Sequence, residues 1–224
     1  MKPNVEDAKR EWEYIYNVAG IANINSKNDI TDYFRYLKAE GIDWDAGCTR
    51  VVCWRKYGKY VFKIDMEYES AYSGDYTVNC TSTSEKGNAY DSPTEHELSI
   101  YKDACAEGLE NLFAWEEYLG AYPIEDGYIH VYTMERVEID YDKNMADSRE
   151  SFESTHSVEE CAEVPEYYFS DEDYMLKLAK AEWNDDALFE DFSRFIESVD
   201  LNDLHAGNWG RKNGRLVVTD YAGF

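Results

Sequence analysis

Val199 to Phe224 reads VDLNDLHAGNWGRKNGRLVVTDYAGF, and the fold hangs on how this loop, reversal and strand end are read. Asp203, His205 and Asn208 crowd the loop. Asn213-Gly214 is a pair of the kind that closes two-residue hairpins, because both residues tolerate positive φ. The β-branched run Leu216, Val217, Val218, Thr219 is then expected as a buried strand that delivers Asp220 at its end. Mg²⁺ bound to a nucleotide takes a few hard oxygen ligands from a protein and leaves its other positions to phosphates and water. Asn208 and Asp220 suit those positions, and Asp203 is left to accept a proton from, or orient, an attacking hydroxyl. The competing reading is local: aspartate and asparagine in a loop also serve as hydrogen-bonding turn residues.

Composition narrows the partners. The chain has 224 residues, enough for one ample core or two small lobes. No apolar run approaches the roughly 20 residues of a membrane span, and MKPNVEDAKREWEY resembles neither a signal nor a transit peptide. A membrane is therefore not expected as partner. Five cysteines form an odd set with no C-x-x-C pairing, which points to the reducing cytoplasm. With 47 acidic against 22 basic residues the formal net charge is −25. Such a field repels nucleic acid and suits a basic protein surface. The acids are nonetheless cleared from Ala46–Ile64, which holds Arg50, Arg55, Lys56, Lys59 and Lys63, and from Leu204–Thr219, which holds Arg211, Lys212 and Arg215. Both windows are consistent with a polyanion, and also with buried strands.

Upstream, Val5–Val18 and a segment from Asp29 or Thr31 to Glu40 have helical spacing, the second capped by Gly41. Gly47–Met66 holds two β-patterned runs joined by a turn at Lys56–Gly58. Lys63 lies between Phe62 and Ile64. Buried and unpaired it would cost several kcal/mol, roughly, so it faces either a cleft or carboxylate, or solvent from the strand's polar side. Glu67–Ser92 is expected as a loop with a weak strand around Tyr76–Cys80. Ser92-Pro93 opens a helix running to Gly108, with Leu98, Tyr101 and Cys105 as its apolar stripe. Asn111–Tyr118 and Tyr128–Val137 are expected as strands. Asp140–Asp173 is strongly acidic and lacks core periodicity until Tyr167, as a partly helical, partly mobile interaction face does. Glu172–Val199 carries the longest helical signal, with Leu188, Phe192, Phe195 and Val199 on one stripe.

DLHAGN followed by a short hairpin and VVTD resembles the catalytic loop and metal-binding strand of the protein-kinase-like superfamily, in the D-x-x-x-x-N form shared with aminoglycoside phosphotransferases. It also resembles the small kinase-like proteins of tailed bacteriophages, where DxHxGN, an NG hairpin and a terminal aspartate recur. The resemblance implies Asp203 as catalytic base and Asn208 and Asp220 as Mg²⁺ ligands. GCTRVVC and YVFKID are similar to a degenerate glycine-rich loop and the strand lysine. Gly47, Thr49 and Arg50 would then line the phosphates of ATP, and Lys63 would pair with Glu97, chosen over Glu95, on the helix HELSIY. YIHVYTMERVE resembles the hinge, with backbone near Met134 to Arg136 against adenine and Met134 or Thr133 as gatekeeper. Leu201 replaces the histidine usual two residues before the catalytic aspartate.

The implied fold is α+β and bilobal: an N-terminal helical extension over 1–41, a kinase-like N-lobe over 42–136 and a reduced C-lobe over 137–224. With four residues after Asp220, it is expected to be a minimal kinase-like fold, C-terminally truncated after the metal aspartate. The implied function is Mg-ATP-dependent phosphotransfer by a phage-encoded protein in the host cytoplasm, onto a host protein or the chain itself. The alternative is a catalytically weak or inactive kinase fold serving as an acidic interaction module or inhibitor of a host defence or transcription protein.

Overall fold

The computed structural model describes residues 3–23, 37–46, 50–68, 78–80, 93–124, 127–157, 160–161 and 164–220. The chain divides into two compact units, one of Met1–Leu98 with Trp115–Arg136 and one of Ser99–Ala114 with Val137–Phe224. The class is mixed α and β, as expected.

The first unit is built on an antiparallel sheet. Its strands are β1 (Ile42–Ala46), β2 (Arg50–Arg55), β3 (Tyr60–Tyr68), β4 (Val78–Cys80), β5 (Glu116–Ile124) and β6 (Gly127–Glu135). The order is β1-β2-β3-β6-β5, with β4 pairing β3 off that path. Strand side chains alternate between faces, and β3 shows what that does here. Tyr60, Phe62 and Ile64 are buried on one face. That face is covered by α1 (Val5–Val18), which falls where helical spacing puts it and is capped by Asn4 accepting from the Glu6 amide at 2.8 Å. Ala8, Trp12 and Ile15 are wholly buried in the same core, and the Trp12 ring lies 5.5 Å from that of Phe62.

Several expectations are corrected in detail. The sequence reading omits β1, and the strand expected over Asn111–Tyr118 runs Glu116–Ile124 after a 3-10 turn at Glu110–Leu112. Of the helix expected to end at Glu40, the described part is a 3-10 turn, Leu37–Glu40, closed by Gly41 at φ 73°; its start lies outside the described residues. Most of the expected Glu67–Ser92 loop lies outside them as well. α2 (Pro93–Ala106) forms where Ser92-Pro93 announces it, but Cys105 is exposed. Its buried positions are Thr94, Glu97, Leu98, Ile100 and Ala104.

The second unit holds α3 (Tyr141–Glu153), α4 (Glu172–Trp183), α5 (Asp186–Ser198) and a two-stranded hairpin of β7 (Trp209–Lys212) and β8 (Arg215–Val218). Its core packs Phe113, Trp183, Phe192, Phe195, Trp209 and Leu216. The single long helix expected over Glu172–Val199 is two. Asn184 takes the left-handed conformation at φ 49°, and Asp185 caps the next helix by accepting from the Leu188 amide at 3.1 Å. The segment taken as an interaction face supplies α3, whose Asn144 and Ser148, one turn apart, are buried. A buried face made of polar side chains leaves no apolar period to read.

Candidate functional site

In the first unit the site begins with Lys63. The strand alternation that sends Phe62 and Ile64 toward α1 sends Lys63 to the opposite face. There it is 3% exposed, which excludes a solvent-facing lysine. Its Nζ donates to Glu97 Oε2 at 2.7 Å, and Glu97 is wholly buried. The choice of Glu97 over Glu95 follows from its place on α2: Glu97 is buried whereas Glu95 is exposed.

A second carboxylate, not anticipated, stands beside this pair. Glu116 Oε1 lies 3.6 Å from Lys63 Nζ, with its side chain fully buried. The register explains it. Lys63 is opposite Tyr132, and both Val61 and Glu116 are opposite Met134, so Glu116 shares the lysine's face two residues along. Neither composition nor periodicity points to it, because the β5–β6 register is set by contacts distant in sequence.

The same register sorts the hinge candidates. Met134 shares the face of Lys63, whereas Thr133, opposite Phe62, faces α1. The amide of Glu135 donates to Trp115 O and that of Arg136 to Lys59 O, each at 2.8 Å. The Arg136 guanidinium donates to the carbonyls of Arg55 and Lys56 at 3.0 Å, bracing the β2–β3 turn. Arg50 opens β2 opposite Asp65. Gly47 and Thr49 lie outside the described residues.

In the second unit the loop before β7 is held by side-chain donors to its own carbonyls. Asn208 Nδ2 donates to Asp203 O at 2.6 Å, and Trp209 Nε1 to Leu204 O at 2.8 Å. From α3, Asn144 Nδ2 donates to both Ala206 O and Trp209 O at 2.9 Å. Buried carbonyls left without donors are costly, so these bonds fix the loop. With its nitrogen committed, Asn208 has only Oδ1 to offer a cation, and that atom is a hard oxygen.

The hairpin closes as its sequence demands. Asn213 at φ 53° and Gly214 at φ 82° form the two-residue turn, with Lys212 opposite Arg215. At the open end the Thr219 amide donates to Asn208 O at 2.9 Å, which brings the residue before Asp220 alongside Asn208. Gly210 has to be glycine, since a Cβ there would stand 2.5 Å from Val137 Cγ2. Arg211 anchors the outer edge by pairing with Glu182 and Asp147, both at 2.7 Å.

Asp203 stays accessible, with 42% of its side chain exposed, and His205 Nε2 lies 3.7 Å away. His205 Nδ1 accepts from the Gly207 amide at 3.0 Å, so in the neutral ring the proton sits on Nε2, the nitrogen nearer Asp203. Glu172, at the start of α4, has its carboxyl pushed up from the ordinary range by burial first, and then by the charges of Asp173 and Asp203. Leu201 is a core residue.

A carboxylate and an amide oxygen fit a Mg²⁺ ion that draws its remaining ligands from phosphates. Among the described residues there is no group of three or more His, Cys, Asp and Glu able to hold a metal by themselves. No protein-family model matches the chain, and no curated protein matches it. Among the described residues no helix is long and apolar enough to cross a membrane.

Proposed function

We propose that the chain is a kinase-like phosphotransferase using Mg-ATP, of the kind carried by tailed phages, acting in the host cytoplasm on a host protein or on its own hydroxyls. The observation that carries this reading is the Lys63–Glu97 pair: a lysine on the third strand of an antiparallel sheet meets a glutamate on the next helix at 2.7 Å, with both side chains closed to water. A lysine of that strand paired with a glutamate of that helix is what kinase-like phosphate binding requires. The order of elements also supports it, as does the Asn208 amide bonded back to Asp203 O.

In this reading Lys63 neutralises phosphate charge and Glu97 holds it in place. Asn208 Oδ1 and Asp220 bind Mg²⁺, which would screen the phosphates. Asp203 orients the acceptor hydroxyl and takes its proton. Adenine would have to find backbone partners other than the Glu135 and Arg136 amides, which already donate within the sheet's unit. The test is transfer of the terminal phosphate of radiolabelled ATP, in the presence of Mg²⁺, to the chain or to a host extract. Label that vanishes in Asp203→Asn and Asp220→Asn supports the proposal. The absence of both label and any Mg-ATP thermal shift overturns it.

One observation favours a second reading. Glu97 and Glu116 place two carboxylates on the single cation of Lys63, which opposes the approach of a triphosphate. A chain that keeps the fold without turnover would act through its acidic surface on a basic partner. Asp203→Asn would then leave the biological effect intact, and reversing charges across Glu150–Asp173 would abolish it.

A further inference from the structure

A cavity of about 490 Å³ lies in the second unit, walled by α3 on one side and α4 on the other. Neither Asp203, Asn208 nor Asp220 lines it, so it is separate from the residues assigned to phosphotransfer. Its wall is aromatic. The rings of Phe152 and His156 stack with centroids 3.7 Å apart, and Tyr174 meets Phe152 edge-on at 5.4 Å.

The cavity is also cationic, in a chain whose net charge is −25. Lys177 Nζ sits 4.7 Å above the Tyr174 ring, and Lys180 lines the same wall. The one acidic lining residue is Asp186, 3.5 Å from Lys180 and with 83% of its side chain exposed. A pair so exposed is weak, so a competing anion can displace Asp186 from Lys180. At the inner wall Ser148 is 2% exposed, and its Oγ has no hydrogen-bond partner. Buried hydroxyls ordinarily have one.

We propose that this cavity binds a small organic anion carrying a planar ring, an aryl phosphate or aryl carboxylate. The ring stacks against Phe152, His156 and Tyr174. The anionic group meets Lys177 and Lys180, and a polar edge of the ligand supplies the partner that Ser148 lacks. The volume suits one small ligand. A cationic ligand is opposed by the two lysines, and a neutral apolar one gains nothing for covering them.

The test titrates the full chain with phenyl phosphate, benzoate and neutral benzyl alcohol, followed by calorimetry and ligand-observed NMR. Both anions are expected to bind saturably and the alcohol at most weakly. The tighter anion identifies the headgroup. Lys177→Gln should weaken binding by about tenfold, the loss expected for one charge-assisted hydrogen bond, and Lys177→Gln with Lys180→Gln by more. Both lysines are exposed, so these variants should keep the wild-type melting temperature. Ser148→Ala should weaken binding severalfold. The proposal is overturned by no saturable binding, by alcohol binding as tight as the anions, or by affinity unchanged in the double lysine variant. None of these results bears on ATP transfer, whose residues the cavity does not include.

Discussion

Glu116 Oε1 stands 3.6 Å from Lys63 Nζ, on the same face of the sheet and equally closed to water. With Glu97 it gives a buried lysine two carboxylates, one more than phosphate binding needs. The two functional readings proposed above differ in what this relation does to an approaching phosphate.

Glu116→Gln keeps the shape of the side chain and removes one negative charge from beside Lys63. If the site takes Mg-ATP, the variant should bind it more tightly than the wild type, because less attraction holds the lysine away from phosphate. The measurement is the Mg-ATP-dependent shift in melting temperature of both proteins. A shift absent from both favours the acidic interaction module.

Lys63→Met tests the same cluster through stability. Removing one member of a buried ion pair typically costs about 3–5 kcal/mol, because the remaining charge is left uncompensated. Here two carboxylates would be stranded, so the loss should reach the upper part of that range. Adding Glu97→Gln to Lys63→Met should recover part of the loss. Urea unfolding of the wild type, Lys63→Met, Glu97→Gln and the double variant gives the comparison, and additive losses would mean the pair is not coupled.

The parts of this fold that were legible in the sequence are those whose signals are local. Asn213-Gly214 names its own turn, Ser92-Pro93 names the start of α2, and the helical spacing over Val5–Val18 names α1. The pairing of Lys63 with Glu97 comes from the resemblance to kinase-like motifs and from no local signal, since long-range packing is what joins them. What escaped has physical reasons. β1 reads IDWDA, whose aspartates hide a strand. The break at Asn184 and Asp185 lies inside an apolar spacing that continues across it. Asn144 and Ser148 are a buried face without an apolar residue, and Glu116 depends on a register that no single strand encodes.

Glu172 makes the pH behaviour of the Asp203 loop testable. Its carboxyl is raised above the ordinary glutamate range by burial, then by Asp173 and Asp203. The folded state therefore keeps this proton to higher pH than the unfolded chain, and stability falls as pH rises from the ordinary value to the raised one. Glu172→Gln should be more stable than the wild type at neutral pH. The difference should vanish once pH drops below the ordinary glutamate value of 4.5. Asp203→Asn should narrow that difference without removing it, since burial is the larger cause. Melting temperatures of the four proteins from pH 4 to about 7.5 supply the check. A difference independent of pH would remove Glu172 from this account.

Asn144 links the acidic helix α3 to the chemistry proposed for the loop. Its Nδ2 serves Ala206 O and Trp209 O at 2.9 Å each, on either side of Asn208. Asn144→Leu fills similar space but leaves both carbonyls without their donor, at about 1–3 kcal/mol for each buried group left unsatisfied. The backbone between Asp203 and Trp209 must then move to find water, carrying Asn208 away from Thr219 and Asp220. The expected result is a lower urea midpoint together with weaker Mg²⁺ dependence of ATP binding. Asn144→Asp should fail in the same way, because a carboxylate cannot donate to a carbonyl. Asn144→Gln, which keeps the amide on a longer stem, should recover part of both properties. If all three variants lose only stability and bind Mg-ATP as the wild type does, the geometry of the Asn208 loop does not govern the metal.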